Sequence, residues 1–207
     1  MIERIRKAVL FGAGSVALIA AGCGGDGDER PPPVAASASQ AAGSSACPSS
    51  WKAGWQDLAN RIGAAVYCPS WMPDPLTGEL GGESHGVESV KRDGSYLQSF
   101  IYFERGIGEV HVNLRGYPAR TDIPSCDGRP CFSDLNGRRQ IAGVDIDVYT
   151  ANKGVDLWHV LYAWERDGSL YTVSQHVVPD LGQTYGQVVE NLNRMVQSFE
   201  LIEPKKS

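Results

Sequence analysis

The chain has 207 residues, with 24 acidic against 19 basic side chains and a net charge of −5. That length suits one ordinary domain with appendages. The acidic balance excludes the phosphate-neutralising surface on which nucleic-acid binding depends.

Residues 1–22 read as an export signal. Arg4, Arg6 and Lys7 form a basic head, and Ala8 to Ala21 form an apolar run. The run is shorter than the ~20 residues of a spanning helix, and no stop-transfer pattern follows it, so cleavage is expected. These residues carry three basic side chains and one acidic, and their loss leaves −7. The seam "AAGC", Ala20 to Cys23, resembles the lipobox of bacterial lipoproteins, with Ala20 where leucine is usual. The resemblance implies that the Cys23 thiol receives a diacylglycerol and becomes the first residue of the mature chain. An odd exported cysteine also needs a use. Acyl chains contribute about 0.8 kcal/mol per buried CH₂, and two or more make the anchor stable. The expected partner is therefore the membrane, and the expected location is its extracytoplasmic face, with palmitate among the anchoring chains.

Residues 23–46 hold that cysteine and a tether. Val34 is the only large apolar residue of Gly24 to Ala46, too little to offset chain entropy. A coil of this length reaches about 25 Å.

Residues 47–203 form the single expected domain, with 204–207 as a tail. Ser49 or Ser50 is placed to cap a helix in which Trp51, Trp55, Leu58 and Ile62 share one stripe and Gly63 ends it. "GESHG", Gly82 to Gly86, holds Ser84 and His85 but lacks the nucleophile-elbow spacing, and reads as a polar loop. Asp93-Gly94 and Asp167-Gly168 mark turns between extended segments. Val110, Val112 and Leu114 alternate with polar residues, as do Val144, Ile146 and Val148 with Asp145 and Asp147. Such period-2 patterning means an antiparallel sheet with one covered face. Helical period returns through Val188, Leu192, Met195, Val196 and Phe199. The expected fold is α+β: an antiparallel meander sheet with an N-terminal and a C-terminal helix packed on one face.

Four exported cysteines allow three pairings. Cys47 and Cys68 bracket the first helix, and Cys126 and Cys131 flank "DGRP". Disulfides Cys47–Cys68 and Cys126–Cys131 are expected, because a four-cysteine zinc site needs a second close pair. His111 and His159 sit in alternating strands with no histidine at i+2 or i+4, and His176 lies near a strand end. Convergence of three separate strands on a metal is the minor alternative, and neither a metal site nor a cofactor is expected. Asp145 and Asp147 lie about 7 Å apart on one strand face, a spacing open to paired-carboxylate hydrolysis, though a solvated face is commoner. Trp51, Trp55, Trp158 and Trp164 read as core. Trp71 and Met72, in "CPSWMPDP", are candidates for a partner contact, against the commoner fate of packing over the first helix.

From Val144 onward, Trp164, Asp167-Gly168, Tyr171 and Val173, followed by a helix ending in "SF", are loosely similar to the end of DUF4367-type bacterial envelope domains and of small actinobacterial lipoproteins. The resemblance implies an extracytoplasmic α+β domain and brings no catalytic residue. The expected function is a membrane-anchored envelope lipoprotein with a non-enzymatic domain that binds a partner protein, lipid or small ligand. The alternative is a tethered extracytoplasmic hydrolase using carboxylates or histidines from separate strands.

Overall fold

The structure is a computed structural model that describes residues 46–105, 108–126, 129–130, 132, 134–151 and 158–205. The signal, Cys23 and the tether lie outside the described residues. So does Cys131, and with it the expected Cys126–Cys131 pairing.

Helix α1 runs Ser49–Ile62 and buries Trp55, Leu58 and Ala59, while Trp51 and Ile62 are half-buried. Its start differs from the expected serine cap. Pro48 holds the cap position, where no side chain accepts, and its carbonyl takes the N–H groups of Trp51 and Lys52 at 2.9 Å. Both serines are already helical. The stop follows expectation: Gly63 takes φ 68° and donates its N–H to Ala59, a left-handed cap that glycine adopts without a Cβ clash.

Strand β1 (Val66–Pro69) follows, and then β2 (His85–Val90), β3 (Tyr96–Glu104) and β4 (Gly108–Tyr117). A short ladder of β5 (Ser125–Cys126) with β6 (Arg129–Pro130) precedes β7 (Asp134–Ile141), β8 (Val144–Ala151), β9 (His159–Arg166) and β10 (Ser169–His176). Helix α2 (Tyr185–Ser198) and strand β11 (Phe199–Ile202) complete the order. Thr184 caps α2 through a reciprocal box with Gln187. Phe199, expected on the helix, instead opens β11, which pairs antiparallel with β1 from Val66↔Ile202 to Pro69↔Phe199.

Among the described residues the main sheet has seven strands in the order β2-β3-β4-β10-β9-β8-β7, every neighbouring pair antiparallel. It is more than a simple meander. Two meanders, β2-β3-β4 and β7-β8-β9-β10, join where the last strand of one pairs with the last of the other, and β10 becomes the central strand. The edge strands β2 and β7 are largely exposed and carry Glu88, Arg138 and Arg139, charges that discourage further strand addition.

One core cluster takes Trp55 and Leu58 from α1 and Val188, Leu192 and Met195 from α2. It also holds Phe100, Val112, Ile146, Val160, Tyr162 and Val173 from the sheet. The alternation of Val110, Val112 and Leu114 with polar residues is thus real, with the apolar set buried. The other parity of the sheet is partly covered by a smaller cluster of Phe132, Tyr149, Leu161, Ala163 and Leu170. Among the described residues the result is an antiparallel sheet with two α-helices, an α+β domain.

Candidate histidine site

On β4, β10 and β9 the residues that alternate away from the main core are His111, Asn113 and Arg115, then Thr172, Ser174 and His176, then His159, Leu161 and Ala163. The register His176↔His159 sets those two side by side. The register Gln175↔Val112 brings His176 next to His111 one step further on. Three histidines therefore form one row across the three central strands. Of the two readings the sequence leaves for these histidines, the rings follow the minor one, convergence from separate strands. The row arises from pairing β4 with β10 across more than fifty residues of chain, so the spacing of histidines within one strand does not reveal it.

Strands two apart are separated by about 10 Å, yet the rings of His111 and His159 lie only 4.7 Å apart centre to centre. Both side chains lean across β10. The His176 ring completes the triangle at 5.0 Å from each of them. Nε2 of His111 meets Nε2 of His159 at 2.5 Å, so one ring donates an N–H and the other accepts with its lone pair.

Glu109 serves two of the rings. Its main-chain carbonyl is 3.2 Å from His176 Nδ1. A carbonyl only accepts, so Nδ1 of His176 carries the proton and, in the neutral ring, Nε2 keeps the lone pair. The Glu109 carboxylate stands 3.0 Å from His111 Nδ1, but off the line of a hydrogen bond, which leaves that buried nitrogen without one. The carboxylate is near enough to orient the ring electrostatically. His111 is 8% exposed. Burial first, then the charges of His159, His176 and Arg115, push its pKa down to about 3, so the ring is neutral across the physiological range. As the side chains stand, no group of three or more His, Cys, Asp or Glu among the described residues is spaced to hold a metal ion.

The other expected sites fall elsewhere. Asp145 accepts from Gln140 at 3.1 Å and Asp147 from Arg138 at 2.8 Å, so the two carboxylates serve cross-strand pairs on the β7–β8 edge. Ser84 lies in the turn before β2, as the loop reading expects, whereas His85 is already part of the strand. Ser84 is buried and its hydroxyl accepts from Thr77 at 3.2 Å, while His85 opens β2 and binds Gln98 Oε1 through Nε2 at 2.7 Å. Met72 is buried, and Trp71 is half-buried with the Arg194 guanidinium of α2 4.1 Å from its ring centre. That is a cation–π contact, and it places Trp71 against α2 as well as beside the main core. Cys47 and Cys68 are joined, 21 residues apart in sequence. Among the described residues no helix is long and apolar enough to cross a membrane.

Each histidine stands alone on its own strand, so no pair of them is spaced to signal the row. The one local signal was Glu109-x-His111, an acid and a histidine on the same strand face. The chain matches no family model, no curated protein and no solved structure.

Proposed function

We propose that the chain is a lipid-anchored envelope protein whose α+β domain binds a partner or small ligand outside the cytoplasm. The observation that carries this is the Cys47–Cys68 disulfide, which suits an oxidising compartment and closes off the domain at the point where the 23–46 tether ends. The apolar run that stops at Cys23 supplies the export and anchoring half of the proposal. Both helices are read as covering the Val110/Val112 face, since their buried residues share a cluster with it, which leaves the opposite parity, with its histidine row, for ligand. A tethered hydrolase is the second reading, favoured by the three histidines that meet from separate strands. Against it, Asp145 and Asp147 are engaged in cross-strand pairs.

The test is Cys23→Ala in intact cells. The wild type should sediment with membranes and the variant should be released. A variant that stays membrane-bound would falsify the lipid anchor.

A further inference from the structure

We infer that His111, His159 and His176 form a binding site for one divalent late transition metal such as zinc or copper, with Glu109 as its orienting group. This names a ligand for the binding-domain reading. The two can fail separately, since release of Cys23→Ala from membranes does not depend on metal.

The ring positions carry the inference. With metal–nitrogen bonds of 2.0–2.1 Å in tetrahedral geometry, three imidazoles around one ion have centres about 5 Å apart. The observed separations are 4.7, 5.0 and 5.0 Å. Two of the nitrogens have still to turn toward a common point. Nε2 of His111 and of His159 face each other at 2.5 Å, whereas two ligands of one ion stand about 3.3 Å apart. A tilt of a few tens of degrees in each ring, with little shift of the ring centres, converts the head-on contact into two lone pairs converging on a common point.

The groups behind the rings suit that change. Metal-bound imidazoles commonly donate their remote N–H to a carboxylate or a backbone carbonyl, which sets the tautomer and raises basicity. His176 already donates Nδ1–H to the Glu109 carbonyl at 3.2 Å, leaving Nε2 as the ligand atom. The Glu109 carboxylate waits 3.0 Å from His111 Nδ1. Binding removes the proton held between the two Nε2 atoms. That proton moves to Nδ1 of the ring that bore it, so no proton is lost overall, and the tilt of His111 brings its Nδ1 toward the Glu109 carboxylate. Three neutral nitrogens with no thiolate favour zinc, copper or nickel over magnesium or calcium, and a water is left to complete four-coordination.

The experiment titrates zinc into the untagged full chain in non-reducing buffer by calorimetry and repeats it with cobalt(II), followed by visible absorption. One ion per chain should bind saturably, and cobalt should give the d–d bands of a low-coordinate nitrogen site. His159→Asn and His176→Asn, both at half-buried positions, should weaken zinc binding about 100-fold or more. Glu109→Gln should weaken it about 10- to 100-fold. His85→Asn, outside the row, should leave it unchanged, and circular dichroism checks that each variant is folded. Absence of saturable one-to-one binding by the folded wild type overturns the site. So does binding that survives both histidine substitutions.

Discussion

The main-chain N–H of Cys47 donates to the Glu200 carboxylate at 2.6 Å while the Cys47 sulfur is bonded to Cys68. The first residues of the domain are thereby held against β11, the strand that ends it, and β11 in turn pairs with β1, where Cys68 lies opposite Glu200. Lys52 closes the same knot, its Nζ 2.6 Å from Glu200 Oε1.

That knot makes stability depend on acid. The Lys52 hydrogen bond lowers the Glu200 pKa, burial opposes it, and the Cys47 N–H adds to the lowering. A carboxyl held lower in the folded than in the unfolded chain contributes stability above the unfolded carboxylate range, and the contribution disappears as pH falls through the folded value. Glu200→Gln should therefore unfold more easily than wild type at neutral pH, by a few tenths to about 1 kcal/mol for a largely solvent-facing pair. The gap should close in strong acid. Equal midpoints at pH 7 would remove the effect.

The disulfide itself closes a loop across α1. Chain-entropy reasoning gives such a loop about 3 kcal/mol. Denaturant unfolding with and without reductant should show a drop of that order, and the Cys47→Ala/Cys68→Ala double variant should match the reduced wild type. A double variant as stable as the oxidised chain would contradict it.

Gln175 is fully buried beside Val112 on the core parity of β10, and neither amide atom has a hydrogen-bond partner. An unsatisfied buried amide costs about 1–3 kcal/mol. Gln175→Met keeps the side-chain length and removes both polar atoms, so it should raise the urea midpoint by an amount worth about 1–2 kcal/mol. An unchanged or lowered midpoint counts against this.

The β7–β8 turn places Ala142 at φ 51° and Gly143 at φ 79°. Two consecutive positive φ values define the turn type that suits a two-residue hairpin and prefers Asn-Gly. Ala142→Asn should stabilise the domain by about 0.5–1 kcal/mol, since alanine bears the left-handed strain without a compensating side-chain hydrogen bond. Thermal unfolding would register this as a rise of a few degrees.

The Asp167-Gly168 turn, at φ 50° and 73°, was legible because its chemistry is local. Ala142-Gly143 makes the same kind of turn with no Asn or Asp to mark it in the sequence. Likewise the stripe of Trp55 and Leu58, the Gly63 stop and the alternation of Val110, Val112 and Leu114 could be read directly, since each is set by a period of 3.6 or 2 along one segment. Phe199 shows where period fails: it continues the apolar stripe of α2, yet pairing with Pro69 draws it into a strand.

By itself, then, the sequence determined the α+β class, the antiparallel sheet and which strand faces are apolar, because those follow from short-range pattern, while the Cys47–Cys68 pair was one of three open pairings until the fold joined it. Only the tertiary structure decided that β10 returns to pair with β4 rather than stopping at the edge of its own meander. That pairing rests on burial shared among distant segments, which no local spacing records. It also set His111, His176 and His159 in one row, so the candidate site exists only at the level of the folded sheet.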